Sequence, residues 1–150
     1  PTVLLALDAE LVVRGPEGER TIPAGSFFTG FLETALGPRD VLTEIRVPKV
    51  TGPSTYLKFN RRAQDWATVA VAAVKRNGAT AVALTNMGPT PLRATAVEQA
   101  LASGASAAEA AARAAEGTSP PSDTNGSAEY RQHLAQVLTR RALEQIGSAG

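Results

Sequence analysis

The chain holds 150 residues, 43% of them hydrophobic, with 15 Lys or Arg against 14 Asp or Glu, one His and no Cys. That length suits one compact domain or two small ones, and folding can bury about 68–70% of the surface that the unfolded chain exposes. The lack of cysteine excludes disulfides, thiolate nucleophiles and cysteine-held zinc or iron–sulfur clusters within the chain, and a net charge of +1 implies no strongly charged partner.

The opening Pro1-Thr2-Val3-Leu4-Leu5 has no initiator methionine, basic leader or signal-peptide pattern, and reads as the middle of an element at a fragment boundary. Residues 3–13 are mostly apolar and end at Gly15-Pro16-Glu17-Gly18, which predicts a strand, a turn and a short return strand from Glu19 to Ile22. Phe27, Phe28, Phe31, Leu32 and Leu36 recur near helical spacing until Gly37-Pro38 stops them. Val41 to Val47 alternates and predicts a half-exposed strand ended by Pro48.

Thr51-Gly52-Pro53-Ser54 is the linker candidate, dividing the chain into residues 1–52 and 53–150. Beyond it, Thr55 to Arg62 reads as a strand, and Thr68–Lys75 and Ala79–Thr85 as a hairpin about Asn77-Gly78, a dipeptide that tolerates the positive φ of a tight turn. Residues 86–91 form a loop. Three helices then follow. Thr95 with Glu98 and Ser106 with Glu109 fit capping boxes, and Gly104 and Gly117 fit stops. The helix over 105–116 is nearly all alanine, and the last helix, 128–146, places Tyr130, Leu134, Ala135, Val137, Leu138, Ala142 and Ile146 in one stripe. No apolar run approaches the ~18–20 residues of a membrane helix, so no membrane span is expected.

Self-contained catalysis finds little support. The single His133 falls among Glu129, Gln136, Arg140 and Glu144 on a polar helix face, with no metal-ligand spacing or nucleophile beside it. Neither phosphate-loop signature, G-x-x-x-x-G-K-[ST] or G-x-G-x-x-G, occurs. The aromatic and basic Tyr56-Leu57-Lys58-Phe59-Asn60-Arg61-Arg62 could stack bases and meet phosphates, but it better fits an ordinary edge or surface strand whose charges discourage further pairing. No nucleic-acid partner is expected, since no clustered basic face is evident.

Two stretches nevertheless resemble a known family. Phe27-Phe28-Thr29-Gly30-Phe31-Leu32-Glu33-Thr34-Ala35-Leu36, followed by Leu42-Thr43-Glu44-Ile45-Arg46-Val47-Pro48, is similar to the end of the flavin-binding domain in the FAD-binding (medium) subunits of the aerobic carbon monoxide dehydrogenase and xanthine dehydrogenase (molybdenum hydroxylase) family. Tyr56 through Ala63, Asp65-Trp66-Ala67, Gly88 through Ala94, Ala128-Glu129-Tyr130-Arg131 and Arg140-Arg141-Ala142-Leu143 are similar to that family's C-terminal domain. The resemblance implies an α+β fold: a remnant of the flavin-binding domain in residues 1–52, then a three-stranded antiparallel sheet packed with helices in 53–150.

It also implies a function. An FAD in the intact subunit would take electrons from 2Fe–2S clusters on a small iron–sulfur subunit, fed by a molybdopterin centre on a large molybdenum-binding subunit. It would then pass them to an external acceptor, in a cytoplasmic hetero-oligomer. Two flavin contacts carry over. Leu42 matches an apolar residue packed on the ring, and Lys58 matches a lysine beside it, where a cation would stabilise the anionic reduced flavin and raise its potential. Read from the residues alone, Leu42 is a core residue and Lys58 a solvated strand residue. The family's glycine-rich pyrophosphate loops have no counterpart in these residues, so this polypeptide is expected to hold FAD weakly and not to act alone. The alternative is a non-catalytic subunit-assembly module.

Overall fold

The computed structural model describes residues 1–76 and 78–147. In chain order the elements are α1 (Thr2–Ala6), β1 (Glu10–Gly15), β2 (Gly18–Pro23), α2 (Ala24–Phe27), β3 (Phe28–Gly30), β4 (Glu33–Thr34) and β5 (Val41–Arg46). There follow β6 (Ser54–Phe59), β7 (Val69–Arg76), β8 (Ala79–Thr85), β9 (Leu92–Arg93), α3 (Thr95–Ala102), α4 (Ala107–Ala112) and α5 (Ala128–Gly147). The fold is α+β with antiparallel sheets, in the orders β2-β1-β5, β3-β4 and β6-β7-β8-β9. The expected three long strands of the second half are present, and two-residue β9 adds a fourth at the β8 edge.

The β6–β9 sheet organises the molecule because both of its faces are covered. Val69, Val71, Ala73, Val82 and Leu84 point to one face and pack with Val97, Ala110, Leu134, Leu138 and Ile146 from α3, α4 and α5. Successive strand residues alternate sides, so Ala72, Val74 and Ala83 face the other way, where Leu5 and Ala6 of α1 cover them. Alanine at 72 and 83 keeps this face low, and close packing lets a helix of only five residues dock there. That double cover explains why Val69 to Val74 are all buried. A separate small core of Ala9, Leu11, Val13, Ala24 and Phe27 underlies the β2-β1-β5 sheet.

Several sequence-based expectations need correction. Residues 2–6 are helical rather than the start of a strand: Thr2, Leu5 and Ala6 are buried at helical spacing, and Asp8 ends the element with φ +49°. Residues 27–36 are not a helix. Phe27 closes α2, and the rest forms the β3-β4 hairpin, with Phe31 and Leu32 72% and 80% exposed at its tip and Leu32 at φ +58°. The alanine-rich helix spans only Ala107–Ala112, capped as expected by the Ser106–Glu109 box. Thr95 caps nothing, because α3 begins without a side-chain cap and Glu98 is engaged elsewhere. Of the hairpin turn, Gly78 has φ +79°, as a tight turn requires, and Asn77 lies outside the described residues. His133 is exposed on α5, on its expected face.

Candidate functional site

The β-strand alternation that aims Ala72 and Ala83 at α1 also aims Tyr56, Lys58 and Thr85 to the same side, since Tyr56 pairs with Ala72 and both Lys58 and Thr85 with Ala70. Beyond α1 this side opens into a cleft of about 700 Å³, within the range usual for ligand sites. Its walls are Tyr56 and Lys58 from β6, Trp66 from the β6–β7 loop, Thr85 and Asn86 at the end of β8, and Phe31 from the β3-β4 hairpin. A second cavity of about 490 Å³ adjoins it, sharing Phe31, Trp66 and Asn86 and adding Asp65, Asp123, Asn125 and Arg131.

Single exposed apolar side chains are ordinary, whereas several gathered in one concave surface mark a candidate binding site. Trp66 is 79% exposed, and Tyr56, which lines the same cleft, is exposed as well. Polar groups converge on the segment that carries Trp66. Lys58 Nζ donates to the Asp65 carbonyl at 2.6 Å, and Asp65 Oδ1 accepts from the Trp66 N–H at 2.9 Å. Asn86, in the left-handed region at φ +60°, donates through Nδ2 to the carbonyls of Ala67 (3.2 Å) and Thr68 (3.3 Å). Arg131, fully buried, donates from Nη1 to the Thr68 carbonyl at 2.5 Å and from Nη2 to Asp123 Oδ1 at 2.7 Å. Asp123 is held below the usual carboxylate range, first by the Asn125 N–H and then by Arg131. An ammonium has three donors, and the Asp65 carbonyl engages one of those on Lys58.

The two residues singled out from sequence separate here. Lys58 lines the cleft. Leu42 does not: it sits half-buried on β5, which pairs with β1, whereas β6 pairs with β7, so the two strands are not neighbours in a sheet. Leu42 packs against the small core of the first sheet together with Phe28, and Phe28 does line the cleft. Sequence reasoning assigned no role to Trp66, Asn86 or Arg131. Arg131 was detectable, since it stands three and four residues before buried Leu134 and Ala135 and so falls on the core stripe of its helix. Among the described residues no group of three or more His, Asp or Glu could hold a metal, and no helix is long and apolar enough to cross a membrane.

The sheet thus carries α3, α4 and α5 on one face and, on the other, α1 and an open cleft lined by aromatic side chains together with Lys58 and Glu33. Residues 54–146 match the model of the CO dehydrogenase flavoprotein C-terminal domain, and residues 1–50 match that of the FAD binding domain in molybdopterin dehydrogenase. The chain belongs to the CO dehydrogenase flavoprotein family. It is 36% identical to the carbon monoxide dehydrogenase medium chain of Hydrogenophaga pseudoflava, over 95% of this chain and 54% of that protein. It is 32% identical to the glyceraldehyde dehydrogenase medium chain of Sulfolobus acidocaldarius, over 97% of this chain and 56% of that one. Among solved structures, the Hydrogenophaga pseudoflava carbon monoxide dehydrogenase superposes with a TM-score of 0.91 at 37% identity, covering 99% of this chain and 55% of that one. Quinoline 2-oxidoreductase from Pseudomonas putida 86 superposes with a TM-score of 0.89 at 27% identity, covering 99% and 55%. The chain thus spans about half the length of the relatives it matches.

Proposed function

We propose that this chain supplies part of the flavin site of a molybdenum-hydroxylase medium subunit, with the cleft of Tyr56, Lys58 and Trp66 as the wall for the isoalloxazine ring. The observation that carries the reading is the pairing of exposed aromatic faces with the Lys58 ammonium inside a single concave surface. That donor set fits a flat ring with an electron-rich edge: aromatic faces stack on it, and Lys58 offers its N–H groups to the edge that gains charge. Bound FAD would supply the electron transfer, between 2Fe–2S clusters on a small subunit, fed by molybdopterin on a large one, and an external acceptor. This chain's residues bind the ring, exclude water from one face and hold a positive charge beside it.

Leu42 is assigned the further apolar contact, from the neighbouring sheet; its half exposure and its common packing with Phe28 support that role. We further propose that the flavin-domain remnant ends near residue 52 and the C-terminal domain begins at 53, that the assembly is a hetero-oligomer and that it works in the cytoplasm. A second reading, a piece that chiefly packs against partner chains, is favoured by Val41, Ile45 and Val47, all exposed on or just after edge strand β5.

Riboflavin tests the first reading, because it carries the ring without the pyrophosphate and needs no phosphate loop. The chain has one tryptophan, so its emission reports on Trp66 alone. Saturable quenching by riboflavin that weakens several-fold in Lys58→Met is expected. Quenching that never saturates, or that is the same in the variant, removes the flavin-ring assignment.

A further inference from the structure

We infer that Arg131 is a positioning residue for the cleft: from inside the core it fixes the backbone that presents Trp66. The inference rests on the flavin-ring reading of the cleft for its functional meaning, though not for its structural test.

The reasoning starts from cost. A guanidinium taken wholly out of water is expensive unless paired and fully hydrogen-bonded. Arg131 is 0% exposed, and its Nε has no partner among the described residues. Its ion-pair partner Asp123 is 43% exposed at the side chain, so the pair is buried at one end only. Around it stand Leu134, Ala135 and Leu138 on the same helix stripe. For core stability alone an apolar side chain would serve as well or better, since replacing buried ion pairs with hydrophobic residues of similar volume is often neutral or stabilising.

What an apolar residue could not do is hold a carbonyl. Three side chains grip the backbone on either side of Trp66. Lys58 holds the carbonyl of Asp65, Asn86 holds those of Ala67 and Thr68, and Arg131 holds that of Thr68 while bracing the loop at Asp123. Only the last is anchored in a long helix, α5, whose inner face is locked into the core. Lys58 lies on the exposed face of β6 and Asn86 on a loop, and the Thr68 N–H itself donates to the Phe59 carbonyl at 2.8 Å, so Arg131 adds the tie between this segment and α5. Its fork reaches two acceptors at once, a geometry that lysine's point charge does not reproduce. Tyr130, the preceding residue, packs edge-on to Phe59 at 6.3 Å between centroids and holds the other end of the same loop.

Two variants separate positioning from plain stability, read by the single indole N–H resonance of Trp66 in the 150-residue chain and by its unfolding midpoint. Arg131→Met leaves the Thr68 carbonyl with Asn86 and lets Asp123 meet water, so the midpoint is expected to hold while the indole resonance broadens or splits. Asp123→Asn keeps an acceptor for Nη2 but strips the buried cation of its counter-charge, so the midpoint falls while the resonance stays single. An Arg131→Met chain that unfolds, or that folds with the resonance unchanged, overturns the proposal. So does an Asp123→Asn chain whose resonance splits. Riboflavin titration of Arg131→Met is expected to show weakened saturable quenching. If the parent chain shows no saturable quenching, the flavin reading fails on its own, and the indole resonance still decides the role of Arg131.

Discussion

Glu98 lends itself to a quantitative test, because its sequence role and its structural role differ. It sits in the first turn of α3, three residues after Thr95, yet its carboxylate turns to the sheet. Oε1 accepts from the Val82 N–H at 2.8 Å and from Arg93 Nε at 2.7 Å, and Oε2 accepts from Arg93 Nη2 at 3.0 Å. Val82 is fully buried, and β9 pairs only with Ala83 and Leu84, so the carboxylate replaces the strand that ends too soon. Glu98→Ala leaves that N–H unsatisfied, at a cost of about 1–3 kcal/mol. It also removes a half-buried, bidentate ion pair worth roughly 1 kcal/mol more. Arg93 keeps Asp8 and the Leu5 carbonyl as partners, which limits its share. The sum is about 2–4 kcal/mol, and at roughly 2–4 °C per kcal/mol for a chain of this length the Tm should fall by about 5–15 °C. Glu98→Gln keeps one oxygen to accept from Val82 but loses the charge and the second acceptor, which faced Arg93 Nη2, so its cost is about 1–2 kcal/mol. Thermal and urea unfolding followed by circular dichroism measure both. Equal losses in the two variants would refute the assignment of Glu98 as a surrogate strand partner.

Three further outcomes are expected. Leu84→Ala opens a cavity in the main core, where Leu84 is almost wholly buried, and should cost about 2–5 kcal/mol in urea unfolding. Ser106→Ala removes the cap of α4 and should cost about 1 kcal/mol, seen most directly as faster amide exchange over residues 107–110. Asp40 is held below the usual carboxylate range, first by the Arg20 guanidinium and then by the Gly37 N–H. A depressed native value means that its contribution is complete above the unfolded value, about 3.9, and is lost as pH falls through the native one. The parent should therefore lose urea resistance more steeply than Asp40→Asn on going below about pH 4, and parallel slopes would contradict this.

Strands declared themselves in the sequence where local chemistry and packing agreed. Gly15 to Gly18 closes β1 onto β2, Val41 to Arg46 is a strand, and the runs on either side of Gly78 pair in register. Misreadings arose where tertiary contacts overrode the local pattern. Helix α1 is too short for periodicity to identify and exists because the alanine-lined sheet face accepts it. Phe31 and Leu32 fell at helical spacing by coincidence; in the structure they are an exposed hairpin tip beside the cleft. Burial is the commoner fate of such residues, and sites are where that rule is relaxed. Lys58 was singled out through family resemblance and lines the cleft, and Trp66 was visible only as part of a motif, because no local pattern shows that an exposed indole faces a cavity. The coupling of Arg131 to Thr68 spans 63 residues, beyond the reach of any spacing rule.

The packing of α1 carries a consequence for anyone dividing this protein. The two family models meet between residues 50 and 54, which invites a cut there. Leu5 and Ala6, however, lie over Ala72, Val74 and Ala83, and Asp8 bridges Arg76 and Arg93 across the same seam. Excising residues 54–147 would bare a greasy strip and strand two guanidiniums, so such a truncation should clump unless residues 1–8 are supplied as a separate peptide.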